Sequence, residues 1–179
     1  WFDALTNLEI LILYNNLFSN LSENAFANLG SLRYLRLDNN PLGDMPAGIF
    51  RALENIHTIY LSNVGITELK TEWFQNMPNL IEVYLGYNAI EELPNGIFAN
   101  AHNFEAFGMN GNRLKVLRRN AFGSLANLYY FNIESNFINA LEVEFFNDAP
   151  VLNRFYFYRN ICGSGTFTNF IQQRERNLE

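Results

Sequence analysis

The chain has 179 residues, 49% apolar and 17% charged, with a formal net charge of −6. That is ample material for a buried core, and it argues against a nucleic-acid footprint, which needs clustered Lys and Arg, although a local basic patch stays open. No apolar run approaches the roughly 18 residues of a membrane span.

In chain order, Phe2, Leu5 and Asn7 read as the tail of a unit whose strand lies upstream. The chain is therefore read as a fragment, or as a mature protein that begins inside a repeat. Units then start at 8, 32, 56, 80, 104, 128 and 152, the last one incomplete. Each opens on three apolar residues at spacings of three and two: Leu8/Leu11/Leu13, Leu32/Leu35/Leu37, Ile56/Ile59/Leu61, Leu80/Val83/Leu85, Phe104/Phe107/Met109, Leu128/Phe131/Ile133 and Leu152/Phe155/Phe157. The second and third alternate as in a strand, with both side chains on one face. Strands are expected near 11–13, 35–37, 59–61, 83–85, 107–109, 131–133 and 155–157. A fixed period of this size marks a solenoid, in which each unit buries its apolar face against its neighbours. Residues 1–160 are expected to form the array, and 161–179 a C-terminal cap or the start of a following segment.

The ninth position of the units carries Asn16, Asn40, Asn88, Asn112, Asn136 and Asn160. An amide side chain both donates and accepts, so it can satisfy backbone groups of adjacent turns. The third unit has Val64 in that place, with Asn63 beside it pointing elsewhere. A gap in the Asn ladder is expected there, filled by water or by a shifted turn, and Val64→Asn is expected to stabilise. A second column, late in each unit, is Phe2, Phe26, Phe50, Phe74, Phe98, Phe122 and Phe146, with Phe170 one step further. Short turns such as Met45-Pro46 and Leu93-Pro94-Asn95-Gly96 leave room for little more than one helical turn.

This L-x-x-L-x-L-x-x-N core, clearest at Leu32, Leu35, Leu37 and Asn40, with its late Phe and 24-residue period, resembles the leucine-rich repeat family over almost the whole chain. The resemblance implies an α/β solenoid: a right-handed superhelix with a parallel concave β-sheet, a loop-rich convex side and the Phe column in the convex half of the core. It points to extracellular members, including receptor ectodomains, matrix proteins and secreted immune proteins. The Phe- and Asn-rich style is similar to secreted leucine-rich-repeat immune proteins of insects. Asn160-Ile161-Cys162 looks like the opening of a cysteine-bearing C-terminal cap, but the usual multi-Cys pattern is absent.

Residues suited to catalysis are scattered. His57 and His102 fall in different units, and no Ser-His-Asp or Cys-His spacing links them. Gly108 and Gly111 follow the repeat frame rather than a phosphate-binding loop, and no metal or cofactor site is expected. Cys162 is the one cysteine, so it pairs with a Cys outside this chain, or it is a free or buried thiol. Asn20-Leu21-Ser22 is a candidate glycosylation sequon.

The outward strand positions carry no core duty, so their composition reports use. All nine tyrosines lie in strand segments at non-core positions. Tyr offers a large contact area with few rotors, and with Arg it is enriched at interfaces. The candidate ligand-binding residues are Tyr14, Tyr34, Arg36, Tyr60, Tyr84, Tyr87, Tyr130, Arg154, Tyr156 and Tyr158. The expected role is a non-catalytic extracellular recognition module that grips a protein or glycan through its concave face. The alternative is an assembly module joined to another chain through Cys162 and the C-terminal region.

Overall fold

The computed structural model describes residues 2–141 and 144–161. In chain order it forms β1 (Ile10–Ile12), β2 (Tyr34–Arg36), β3 (Thr58–Tyr60), β4 (Glu82–Tyr84), β5 (Ala106–Gly108), β6 (Val116–Leu117), β7 (Tyr130–Asn132), β8 (Ala140–Leu141), one helical turn α1 (Glu144–Asn147) and β9 (Arg154–Tyr156). Two 3-10 turns, Thr71–Trp73 and Arg119–Ala121, lie on the convex side. β1, β2, β3, β4, β5, β7 and β9 form one parallel sheet in that order. The register advances by one 24-residue unit per strand, from Leu11↔Leu35 through Phe131↔Phe155. β6 and β8 pair in parallel on the opposite side.

The regular strands begin one residue earlier than the leucine triplets imply. The central apolar residue of each triplet (Leu11, Leu35, Ile59, Val83, Phe107, Phe131, Phe155) sits mid-strand. The third lies just past the strand but still joins the ladder: Leu37 N–H donates to the Tyr60 carbonyl at 3.0 Å and Leu61 N–H to the Tyr84 carbonyl at 2.8 Å. The strand ends there because the next outward residue leads into a left-handed turn. Asn15, Asn39, Asn63, Tyr87, Ser135 and Arg159 have φ of 54 to 59°, and Gly111 has φ of 68°. Asn and Gly are the residue types that adopt this region most readily, which explains their frequency at that place.

The core runs the length of the array and changes in kind. Leu35, Ile59 and Val83 give way to Phe107 and Phe131, all fully buried. The convex Phe column stacks from Phe2 to Phe26 (6.2 Å between ring centroids) and to Phe50 (6.0 Å). It is then interrupted. Trp73, one residue before the column, packs edge-on against Phe50 at 5.9 Å and donates its indole N–H to the Pro46 carbonyl at 3.0 Å. Phe145 does the same in a later unit: it is fully buried against Phe122 and Phe131, and column member Phe146 lies further out. Phe170 lies outside the described residues.

From Asn40 onward, each amide of the Asn ladder spans two units. Asn112 Nδ2 donates to the carbonyls of Leu85 (2.9 Å) and Met109 (3.2 Å), and its Oδ1 accepts from Ile90 N–H (3.0 Å). Asn40, Asn88, Asn136 and Asn160 repeat this pattern, and Asn16 bonds the Leu13 and Tyr14 carbonyls of its own turn. At Val64 the chain closes the gap itself. Asn88 Oδ1 accepts from Val64, Gly65 and Ile66 N–H at 3.1, 2.9 and 3.1 Å. On the other side, Leu42 N–H turns back to the Asn40 carbonyl at 2.8 Å. Val64 itself is fully buried as an apolar plug. Asn63, at the left-handed position, builds a second, exposed ladder: Asn63 Nδ2 donates to Asn39 Oδ1 (2.9 Å) and Asn39 Nδ2 to Asn15 Oδ1 (2.6 Å).

Candidate ligand-binding face

Strand alternation places Tyr34, Thr58, Glu82, Ala106, Tyr130 and Arg154 in one outward row of the sheet, and Arg36, Tyr60, Tyr84, Gly108, Asn132 and Tyr156 in the next. The tyrosines of the two rows meet. Ring centroids are 5.5 Å apart for Tyr34–Tyr60, 4.5 Å for Tyr60–Tyr84, 6.4 Å for Tyr84–Tyr130 and 5.7 Å for Tyr130–Tyr156. Five aromatic rings therefore run across the sheet from β2 to β9 without interruption. Tyr60 and Tyr84 share a register position in adjacent units and stack nearly parallel, with 16° between their planes.

Mutual contact leaves Tyr34, Tyr60, Tyr84 and Tyr130 half-buried rather than fully displayed, while Tyr156 at the end of the run is exposed. Burial, which disfavours the phenolate, pushes the Tyr60 hydroxyl up to about 12 and raises that of Tyr84 further. The hydroxyls stay in polar company: Tyr84 Oη donates to Glu82 Oε2 at 3.4 Å, and Asn132 Nδ2 donates to Tyr130 Oη at 3.3 Å.

Arg36 anchors one end of the run. Its guanidinium lies 4.4 Å from the Tyr14 ring centroid and 5.2 Å from that of Tyr60, a cation–π sandwich. Its Nε donates to Asp38 Oδ2 at 2.8 Å. Asp38 is 5% exposed and also accepts from Ser62 N–H at 2.9 Å. At the other end Arg154 is exposed on β9, in register with Tyr130. Tyr87 and Tyr158 stand apart at the sheet's margin, 64% and 58% exposed. A hydrogen bond with Glu134 raises the Tyr158 hydroxyl pKa. Asn20 is exposed on the first turn, and Cys162 lies outside the described residues.

Sequence parity alone did not show that Ala106 and Gly108, outward residues of β5, are buried, Gly108 under the ring of Tyr84. Among the described residues the chain also has a lateral groove of about 890 Å³, where Glu68, Glu91 and Glu92 face Arg113, Lys115 and Arg118. Lys115 Nζ is 2.6 Å from Glu91 Oε2, so the opposed charges partly neutralise each other. No group of three His, Cys, Asp or Glu among the described residues could hold a metal ion, and no helix among them is long and apolar enough to cross a membrane.

A family model described as Leucine rich repeat matches residues 1–42 and 54–114. Two solved structures share the fold. One is a crystal structure of a TLR13–ssRNA13 complex, with a TM-score of 0.81 and 27% identity over 92% of this chain. The other is a crystal structure of the APL1 leucine-rich repeat domain, with a TM-score of 0.82 and 22% identity over 89% of this chain. The chain spans 23% of the first and 42% of the second. No curated protein matches it in sequence.

Proposed function

This chain belongs to the leucine-rich repeat family, typically a protein-binding module, and we propose that it is a non-catalytic extracellular recognition module whose concave face binds a protein or glycan, with a role in innate immunity. The observation that carries the reading is the run of five tyrosine rings across the sheet, flanked by Arg36. Core packing does not require aromatic residues at outward positions, and a rigid aromatic surface with hydroxyls at its edge is the composition of an interface hot spot. The face mixes Glu82, Glu134, Arg36 and Arg154, so it lacks the single-sign field that a phosphate backbone calls for. The single-stranded RNA in the TLR13 complex is that protein's ligand.

Photo-crosslinking tests the reading. A benzoylphenylalanine placed at Tyr156, on the concave face, should capture partners from extracellular fluid. The same probe at Asn95, in the lateral groove, should capture none of them. Equal capture at both positions would move the site off the concave face.

A further inference from the structure

The aromatic run crosses one strand that contributes no ring. In β5 the outward positions hold Ala106 and Gly108, and both are buried although they face away from the core. The cover of Gly108 comes from the neighbouring strand β4. A Cβ built on Gly108 would lie 2.8 Å from Tyr84 Cδ1, and one built on Gly111 would lie 2.8 Å from Tyr87 Cδ1. Gly108 is one repeat beyond Tyr84, and Gly111 is one repeat beyond Tyr87. The tyrosines of the fourth unit therefore lie over the glycines of the fifth. Lying there, Tyr84 comes within 6.4 Å of Tyr130, a residue two strands away.

We infer that Gly108 is a positioning residue of the binding face: by withholding a side chain it lets Tyr84 lie across β5 and joins the tyrosines of β2–β4 to those of β7 and β9 in one ligand-contact strip. Ala106 serves the same end from the adjacent row, where it is in register with Tyr130. Gly111 clears the same space for Tyr87, the exposed ring at the margin. The role in binding rests on the concave-face reading. The joined strip favours a ligand laid along the solenoid axis, across the strands, over one bound to a single unit. Strands about 4.8 Å apart make the strip roughly 24 Å long, the reach of about seven residues of extended polypeptide.

A double-mutant cycle in the intact chain tests the placement without the ligand. Gly108 has no left-handed φ, so Gly108→Ala adds a methyl group without backbone strain. Gly111 has φ of 68°, so a substitution there would confound the two effects. Gly108→Ala should lower the thermal midpoint by about 3–9 °C in the wild-type background, by overpacking. In a Tyr84→Ala background it should lower the midpoint by less than about a third of that. Near-ultraviolet circular dichroism should lose the signal of the Tyr60–Tyr84 stack in Gly108→Ala. Gly30→Ala should be silent in both respects, because the nearest atom to its Cβ is 3.9 Å away. If Gly108→Ala does not fold, recovery of a folded chain by adding Tyr84→Ala supports the assignment, and no recovery overturns it. Equal losses in both backgrounds also overturn it, because Gly108 would then act through its backbone alone. Either overturning result removes the positioning role and leaves the concave site to be judged by binding.

Discussion

Asn88 and Asn112 occupy the same position in adjacent units, yet their removal should cost different amounts. In Asn112→Ala, the Leu85 carbonyl keeps Asn88 as a donor and the Met109 carbonyl keeps Asn136. Only Ile90 N–H, fully buried, loses its partner. One orphaned buried donor costs about 1–3 kcal/mol. In Asn88→Ala, Val64 and Ile66 N–H, both on fully buried residues, lose their acceptor together, and the buried Leu61 carbonyl loses its donor. Gly65 is exposed, so its N–H turns to water at little cost. Three buried groups at the low end of the same scale give roughly 3–5 kcal/mol. Equilibrium denaturation in urea, followed by far-ultraviolet circular dichroism, compares the two directly. Asn88→Ala should be the more destabilised by about 1.5 kcal/mol or more. Equal losses, or a larger loss for Asn112→Ala, would refute the view that Asn88 covers the gap left by Val64.

Four further outcomes are expected. Val64→Asn should bring no stabilisation in the same urea assay, because Leu42 N–H is already bonded to the Asn40 carbonyl and the buried valine would forfeit about 1.5–3 kcal/mol of apolar burial. Trp73→Phe should cost about 1–3 kcal/mol in calorimetric unfolding, chiefly through the void it leaves beside Phe50, since the Pro46 carbonyl loses the indole but keeps Ile49 N–H as a donor. Tyr60→Ala should cost about 0.5–1.5 kcal/mol for the lost stacking with Tyr84, plus the buried area, measured by thermal melts. The Tyr60 hydroxyl is raised from 10 to about 12 in the folded state, so the folded chain holds its proton longer than the unfolded chain does. Its stabilising contribution is complete below pH 10 and is lost as pH rises towards 12. Tyr60→Phe should therefore flatten the decline of stability in alkaline titrations.

The 24-residue period made the solenoid legible, because the triplets and the Asn ladder are each needed once per turn and so recur at fixed spacing. Leu35, Ile59 and Val83 sit mid-strand in register as their spacing implies. Tyr60 and Tyr84 were legible as neighbours for the same reason. Features offset from the period were not. Trp73 and Phe145 each sit one residue before the Phe column, and a frame tuned to Phe74 and Phe146 gives no hint that these neighbours take the interior. The closing of the gap at Val64 depends on which lone pairs of Asn88 are free, a matter of geometry rather than residue type. The buried outward residues of β5 were invisible because Ala106 and Gly108 read as blanks in a pattern that scores side chains. A signal was present nonetheless: Gly108 and Gly111 lie one repeat beyond Tyr84 and Tyr87, so small residues follow large ones at the same two positions.

The most direct test of the binding face is a calorimetric titration of a partner captured at Tyr156. The wild-type chain would be compared with the Tyr60→Ala/Tyr84→Ala and Tyr130→Ala/Tyr156→Ala variants, each first shown to be folded by circular dichroism. Loss of about 2 kcal/mol or more of binding free energy in both variants, roughly thirtyfold in affinity, is the predicted result. Unchanged affinity in both would contradict the concave tyrosine strip as the ligand site.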